Sequence, residues 1–206
     1  MKDRVSEKNR VTKETRVRLR LNLDGSGRYH VSTTLPFLDH MLELFAKHGN
    51  FDLTVQAQGD THIDDHHLVE DIGLTLGDVL LEALGDKRGI VRYGQDFRPE
   101  LKGKALTTMD ETLSYVALDL SGRPYFDFKV KFRLQNKPPI SFELFDDFFQ
   151  ALAMNAKMNL HIKLLQGRNN HHIAESIFKG FGRALSMAVR VDPRRGSAVP
   201  STKGAL

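Results

Sequence analysis

The sequence contains two copies of one pattern whose residue types suit metal chemistry, His-His-x-x-Glu. Residues 64–71 read DDHHLVED, and residues 169–176 read NNHHIAES. Four of the nine histidines stand in these motifs, which lie 105 residues apart. Imidazole nitrogens and carboxylate oxygens, without thiolate, are donors that manganese, iron and zinc accept. The repeated motif therefore predicts metal binding, because core packing has no use for two imidazoles and a carboxylate that each need a polar partner.

Helical geometry assigns the neighbouring histidines to different ions. Positions i and i+4 share one face of a helix, so His66 acts with Glu70 and His171 acts with Glu175. Adjacent positions diverge by about 100°. We therefore expect two similar sites, each with a His-Glu pair from one helix and a lone histidine from the other. For a single copy of the motif, a polar helix cap is an equally good interpretation.

Each predicted site still lacks one protein ligand. His40 lies 26 residues before His66, and Asp147 lies 24 residues before His171, both in apolar segments with helical spacing. Both are candidates for the missing ligand. His48, at the end of the same segment as His40, is a second candidate.

The elements that must carry these residues occur in the same order in both halves of the chain. In the first half, period-2 alternation and a DGSG turn predict a hairpin, followed by a helix, a strand and a helix that ends at Gly85. The predicted elements are strands at 14–23, 28–33, 51–58, 111–120, 125–132 and 158–166, and helices at 37–49, 64–84, 141–157 and 169–189.

This internal similarity indicates duplication of a β-β-α-β-α unit in an α/β protein of the α+β type. Both halves begin with Glu-Thr, at Glu14 and Glu111, and both end in the His-His-x-x-Glu helix. We expect a first half-repeat at 1–93, a second at 94–190 and a basic C-terminal tail at 191–206. Two such units would bury a common core by packing helix against helix.

Composition excludes several classes of protein. The 206 residues carry a formal net charge of +4 and no cysteine, which rules out disulfides, thiolate metal sites and a cysteine nucleophile. The N-terminal segment is charged, and no run approaches the ~18 apolar residues of a membrane span. We expect a cytoplasmic protein that binds neither membrane nor nucleic acid, since tryptophan is absent and tyrosine is scarce.

The sequence resembles the imidazoleglycerol-phosphate dehydratase family of histidine biosynthesis, in its monofunctional form. The resemblance runs nearly end to end, and the paired motifs with the tail are its most specific part. The matching segments are TKET (12–15), PFLDHML (36–42), HIDDHHLVEDIG (62–73), GIVRYG (89–94), MDE (109–111), DLSGRPY (119–125), NNHHIAESIFK (169–179) and PSTKG (200–204).

The resemblance implies a four-helix bundle between two mixed sheets, a 24-subunit homo-oligomer with active sites at subunit contacts, and two Mn²⁺ ions per site. One ion would be held by His40, His67, His171 and Glu175, and the other by His66, Glu70, His172 and residue 147. The family usually has histidine at position 147, where this chain has aspartate, which can ligate manganese directly or through water. The stretch 95–108 is also longer than is usual in the family.

The implied reaction dehydrates D-erythro-imidazoleglycerol phosphate to imidazole-acetol phosphate. Metal coordination would lower the pKa of the substrate ring N–H, and the resulting imidazolate would expel the neighbouring hydroxyl. The resemblance assigns acid-base chemistry to Glu14; Lys179 could steady an oxyanion or a substrate hydroxyl, and His48 is a further catalytic candidate. The phosphate would be bound by Arg92, Arg123, Ser201 and Lys203.

Two alternative functions are open. A two-metal hydrolase acting on a phosphorylated small molecule would turn the metal pair into a generator of hydroxide. A basic nucleic-acid-binding protein would use the tail and the linker but would leave the histidine motifs without a role.

Overall fold

The computed structural model describes residues 4–95, 106–136 and 138–206. Most of the long stretch 95–108 lies outside the described residues. The strands are β1 (Val5–Val11), β2 (Thr15–Asn22), β3 (Tyr29–Ser32), β4 (Asp52–Gly59), β5 (Tyr93–Gln95), β6 (Thr107–Met109), β7 (Thr112–Asp119), β8 (Tyr125–Lys129) and β9 (Asn159–Gln166). The helices are α1 (Pro36–Gly49), α2 (His66–Leu84), α3 (Leu144–Asn155) and α4 (Asn170–Val189).

The strands form two mixed sheets, one from each half of the chain. The first sheet has the order β1-β2-β4-β3, and the second has the order β5-β7-β9-β8 with β6 paired to β7. The second predicted half-repeat begins at residue 94, inside β5, which starts the second sheet. The two sheets enclose the helices, so the predicted α/β architecture with its helical layer between mixed sheets is confirmed.

The hairpin predicted between β2 and β3 is wrong. β3 pairs in parallel with β4, and β4 lies between β2 and β3. In the second half, β8 likewise does not return along β7 but pairs in parallel with β9. Adjacent parallel strands need a long crossover between them. Helices α1 and α3 supply that crossover, so each half contains a β-α-β unit that strand alternation alone does not reveal.

Three strands, β1, β5 and β6, were not predicted. β1 reads VSEKNRV and pairs antiparallel with β2, but its residues are only half-buried or exposed. A strand at a sheet edge with polar side chains on both faces has no apolar alternation to mark it. β5 and β6 are three residues each, which is too short for periodicity to be read.

The four helices pack as two parallel pairs, α1 with α4 and α2 with α3. Glycines allow the close approach within each pair: a Cβ on Gly182 would lie 2.6 Å from the carbonyl oxygen of Phe45, and one on Gly73 would lie 2.5 Å from that of Phe148. Each His-His-x-x-Glu helix is therefore paired with the first helix of the other half. Buried phenylalanine rings of α1, α3 and α4 fill the centre.

No helix in the described part of the chain is both long and apolar enough to cross a membrane.

Candidate active site

The first cluster lies where α1 and α4 begin. The two helices run parallel, so His40 in the first turns of α1 meets His171 and Glu175 in the first turns of α4. The Oε1 atom of Glu175 lies 3.0 Å from Nε2 of His40 and 3.3 Å from Nε2 of His171. The ring of Phe37 packs edge-on against the ring of His171, with 5.1 Å between the two ring centroids.

The donor atoms of this cluster fit a divalent ion. One ligand atom each of His40, His171 and Glu175 lie within 4.8 Å of one another, and within the described residues no other group of three or more such ligands is this close. Two imidazoles and a carboxylate suit manganese, iron or zinc. Helical spacing placed His171 and Glu175 on one face, as predicted, and the parallel packing of α1 adds His40.

Glu175 is the buried member of the cluster, and its second carboxylate oxygen is held by Lys179 one turn later. Burial raises the pKa of this carboxyl, but the Lys179 ammonium, His40 and His171 outweigh burial and bring the pKa to about 2. The carboxylate is therefore anionic at neutral pH. Lys179 also lies 3.5 Å from the sulfur of Met109, so its ammonium is enclosed on two sides.

In the other helix pair, the equivalent contact is between His66 on α2 and Asp147 on α3. The helices α2 and α3 also run parallel, and Nδ1 of His66 lies 3.6 Å from Oδ2 of Asp147. This distance is longer than a hydrogen bond but within the span that one bridging ion or water covers. Glu70 is half-buried one turn after His66, and its carboxylate forms no ion pair in the described part of the chain. An open hollow of about 480 Å³ lies beside His66.

The second histidine of each motif points to a different set of carboxylates. Nδ1 of His172 lies 2.8 Å from Glu111, while Nδ1 of His67 lies 3.1 Å from Asp60 and 4.0 Å from Glu14. Hydrogen bonding to Asp60 is the main cause that raises the pKa of His67. Hydrogen bonding to His172 and to the backbone amide of Asn169 lowers the pKa of Glu111 to about 2.

His67 and His172 are therefore not part of the His40 cluster within one chain. In each predicted four-ligand set, the lone histidine of one helix joins the His-Glu pair of the other helix. In the described structure these sets are split: His40, His171 and Glu175 lie together in one place, and His66 and Asp147 lie together in another. The helix packing gives the reason: α2 packs on α3 and α4 on α1, so the two motifs do not face each other.

The two remaining acid-base candidates differ in their surroundings. The Glu14 side chain is 55% exposed, and its backbone carbonyl accepts a hydrogen bond from the amide of Asp60. His48 is half-enclosed at the end of α1, and its pKa is lowered first by burial and then by the charges of Lys179 and Arg183. His48 is therefore neutral near pH 7 and able to accept a proton.

The phosphate candidates lie near the carboxyl end of β7, at the opposite end of this strand from Glu111. The Arg92 guanidinium donates to both carboxylate oxygens of Asp119, at 2.7 and 3.0 Å, and to the carbonyl of Pro200 at 2.8 Å. Arg123 is exposed, and its backbone is fixed by the hydroxyl of Ser121. Ser201 accepts a hydrogen bond from the amide of Lys203.

The C-terminal tail is held in place by the loop that carries Arg92. The amide of Gly89 donates to the carbonyl of Ala198, Arg88 donates to the carbonyl of Ser197, and Ile90 forms a β-bridge with Val191.

Asp119 and Asp60 were missed as sequence candidates. Glu111 was visible as the repeat partner of Glu14, but it was given no role because nothing in the sequence places it beside His172.

Comparisons with known proteins identify the family of the chain. The profile described as "Imidazoleglycerol-phosphate dehydratase" matches residues 33–185. A protein of that name from Endomicrobium trichonymphae is 54% identical over the full length of both chains, and one from Methylorubrum populi is 50% identical over 98% of this chain and all of the relative. The chain belongs to the imidazoleglycerol-phosphate dehydratase family.

Solved structures of the family have the same fold. The dehydratase from Staphylococcus aureus superposes with a TM-score of 0.77 at 38% identity, covering 91% of this chain and 99% of the other. The dehydratase from Pyrococcus furiosus, solved in complex with (S)-C348, has a TM-score of 0.79 at 34% identity, covering 97% and 100%. The chain is thus a lyase of the dehydration step in histidine biosynthesis, and the predicted family and enzyme class are confirmed.

Proposed function

We propose that this chain dehydrates D-erythro-imidazoleglycerol phosphate to imidazole-acetol phosphate with two Mn²⁺ ions per active site. The observation that carries the proposal is the cluster of His40, His171 and Glu175, in which two imidazole nitrogens and a buried carboxylate converge within 4.8 Å. His66, with Asp147 and Glu70 nearby, would hold the second ion. Manganese, when bound, would withdraw electron density from the substrate imidazole and lower the pKa of its ring N–H.

The residues of the chain would manage the protons of the elimination. Loss of water breaks the C–O bond on the carbon next to the ring and the C–H bond on the following carbon, and the resulting enol becomes the ketone. One group must protonate the leaving hydroxyl, and one must remove the carbon-bound proton. One of the exposed Glu14 carboxylate and the neutral His48 imidazole would accept the proton of the substrate ring N–H and pass it to the leaving hydroxyl, and the other would remove the carbon-bound proton. The Lys179 ammonium would stabilise negative charge on the substrate.

The geometry of β7 supports active sites built from more than one subunit. Thr112, at one end of this strand, follows Glu111, which holds His172; Asp119, at the other end, holds Arg92. Eight residues at 3.4 Å per step separate these ends by about 24 Å. A substrate of three carbons with a ring and a phosphate is far shorter. The histidines of one chain and the phosphate-binding residues of another would therefore form one site, as in the predicted 24-subunit assembly.

An assay for the keto product, with and without Mn²⁺ after chelation, tests the proposal. We expect chelation to abolish formation of imidazole-acetol phosphate and Mn²⁺ to restore it. Substitution of His172→Ala should abolish the metal-dependent activity. A two-metal hydrolase would instead release inorganic phosphate from the substrate, and that result, or full turnover by His172→Ala, would contradict the proposal. The cytoplasmic location stays a prediction.

A further inference from the structure

The second histidine of each motif is paired with a carboxylate that neither the motif nor its spacing identifies. For His172 that carboxylate is Glu111, whose Oε2 lies 2.8 Å from Nδ1. For His67 it is Asp60, whose two oxygens lie 3.1 and 3.2 Å from Nδ1. In both cases the contact uses Nδ1, so the same ring nitrogen of each repeat-related histidine faces an anion.

Glu111 cannot turn away from His172, because its other oxygen is occupied. Oε1 accepts hydrogen bonds from the backbone amides of Arg168 at 3.1 Å and Asn169 at 2.9 Å, just before α4 begins. A carboxylate is an acceptor only, so Nδ1 of the facing imidazole must be the donor. The neutral ring is then the Nδ1–H tautomer. Nε2 lies 3.7 Å from the exposed Asp110 carboxylate, which is beyond hydrogen-bond range, so this nitrogen carries the lone pair that a metal ion needs.

The repeat shows that the equivalent glutamate of the first half has a different role. Glu14 corresponds to Glu111, but it lies 4.0 Å from Nδ1 of His67 and its side chain is 55% exposed, against 27% for Glu111. Asp60, of which only 14% is exposed, occupies the position beside His67 instead. The duplication thus left two copies of one glutamate, of which one is fixed on a histidine and the other is not.

We propose that Glu111 and Asp60 are positioning residues that hold His172 and His67 in the Nδ1–H tautomer, and that Asp60 thereby leaves Glu14 free for proton transfer. The role of the freed Glu14 rests on the proposed function, whereas the tautomers do not. Carboxylate partners of this kind, when removed, lower metal affinity by about 10–100-fold.

The test is the tautomer of each histidine in the metal-free full-length protein. Magic-angle-spinning NMR of protein labelled with ¹⁵N-histidine distinguishes protonated from bare ring nitrogens, and the His67→Gln and His172→Gln variants assign the signals. At a pH where the rings are neutral, we expect both histidines to carry the proton on Nδ1.

Glu111→Gln gives a sharp expectation because the side chain keeps its size. Its single carbonyl oxygen would satisfy the two backbone amides, so the NH₂ group would face His172 and make Nδ1 an acceptor. The tautomer of His172 should invert to Nε2–H, and a Mn²⁺ titration followed by electron paramagnetic resonance should show about 10–100-fold weaker binding. Glu14→Gln is the matched control at the repeat-related position, and it should leave the tautomer of His67 unchanged, whereas Asp60→Ala should change it.

The outcomes separate this inference from the proposed function. An unchanged His172 tautomer in Glu111→Gln, or a change of the His67 tautomer in Glu14→Gln, would overturn the positioning roles whatever the enzyme does. Asn169→Ala removes the side-chain capping bond to the amide of His171 at the same helix end but keeps the backbone amide of residue 169 that donates to Glu111. If Asn169→Ala inverted the His172 tautomer as Glu111→Gln does, the effect would be one of helix capping and the inference would fail. Tautomers as expected, without formation of the keto product, would refute only the proposed function.

Discussion

At the scale of single residues, Glu175 links the proposed metal site to the packing of α1 on α4. Its carboxylate contacts His40, His171 and Lys179 while being almost fully buried. Glu175→Gln removes the negative charge but not the volume, so we expect Mn²⁺ affinity to fall by at least about 100-fold, since a direct ligand should cost no less than a supporting residue. Isothermal titration with Mn²⁺ measures this.

The control for that variant is Glu43→Gln, a half-buried glutamate on α1 outside the cluster. Mn²⁺ binding by Glu43→Gln should equal that of the wild type. Retention of wild-type affinity by Glu175→Gln would show that the His40 cluster is a hydrogen-bonded network rather than a metal site.

The surroundings of the Asp52 carboxylate predict how the stability of the fold depends on pH. Hydrogen bonds from the Arg28 side chain and from the backbone amide of Ser26 hold the pKa of Asp52 well below its ordinary value of 3.8. A folded-state pKa below the unfolded one adds stability above the unfolded pKa, and this stability is lost as pH falls through the folded pKa. Asp52→Asn should therefore lower the free energy of unfolding by about 1 kcal/mol at pH 7, because hydrogen bonds to a neutral amide are weaker than those to a carboxylate, while the mostly exposed Arg28 side chain adds little through its charge.

The difference between Asp52→Asn and the wild type should shrink as the pH is lowered below about 4, near the unfolded pKa of aspartate. Calorimetry at several pH values gives both melting curves. Asp86→Asn, which removes an exposed Asp–Arg pair two residues apart, is the control and should change stability by less than about 0.5 kcal/mol. A pH-independent difference for Asp52→Asn would contradict the assignment.

The residues that the sequence identified are those whose role follows from spacing. His171 and Glu175 share a face because they are four residues apart on α4, and the structure places them in one cluster. Asp60 could not be found in this way, because it stands in the loop before α2, seven residues from His67, where no helical repeat fixes the geometry. Asp119 could not be found either, because it holds Arg92 across 27 residues. Such pairs depend on strand order, which local periodicity does not determine.

At the scale of elements, the approach of α1 to α4 depends on Gly182. A Cβ at this position would lie 2.6 Å from the carbonyl oxygen of Phe45 and 3.1 Å from the amide nitrogen of Gly49. Both are backbone atoms that cannot rotate away. We expect Gly182→Ala to lower the free energy of unfolding by about 1–3 kcal/mol, as overpacking does.

Whether Gly182→Ala lowers or raises stability decides whether the clash exists, because without a clash alanine should stabilise a helix interior by about 1 kcal/mol relative to glycine. Denaturant unfolding of Gly182→Ala measures the balance. A variant as stable as the wild type would mean that α1 and α4 separate without cost and that their contact does not fix the His40 cluster.

The sequence predicted the four helices closely and the strand pairing poorly. Asn169 caps α4 through the amide of His171, and Gly85 ends α2, as the residue types indicate. The parallel pairing of β3 with β4 is different, because it follows from how α1 packs on the sheet rather than from any residue in either strand. Helix limits are local properties, whereas strand order is a property of the assembled half.

At the scale of the whole molecule, the separation of the two candidate regions predicts that inactive variants complement each other. Glu175→Gln disables the histidine cluster, and Lys203→Ala disables the tail, which contacts Arg92 at the carboxyl end of β7. In an equal mixture formed by co-expression, a site that takes its cluster from one chain and its tail from another is intact in about one quarter of cases. Turnover near that fraction of the wild-type value is expected, although each variant alone is inactive.

A second mixture separates shared sites from sites within one chain. Co-expression of the wild type with the double variant Glu175→Gln/Lys203→Ala leaves about one quarter of shared sites intact, but about one half of sites that lie within a single chain. Complementation between the single variants is impossible in the latter case, because every chain carries one defect. The two ratios together therefore decide whether a second subunit bridges the length of β7, which separates the Glu111–His172 pair from the Asp119–Arg92 pair by about 24 Å at about 3.4 Å per residue.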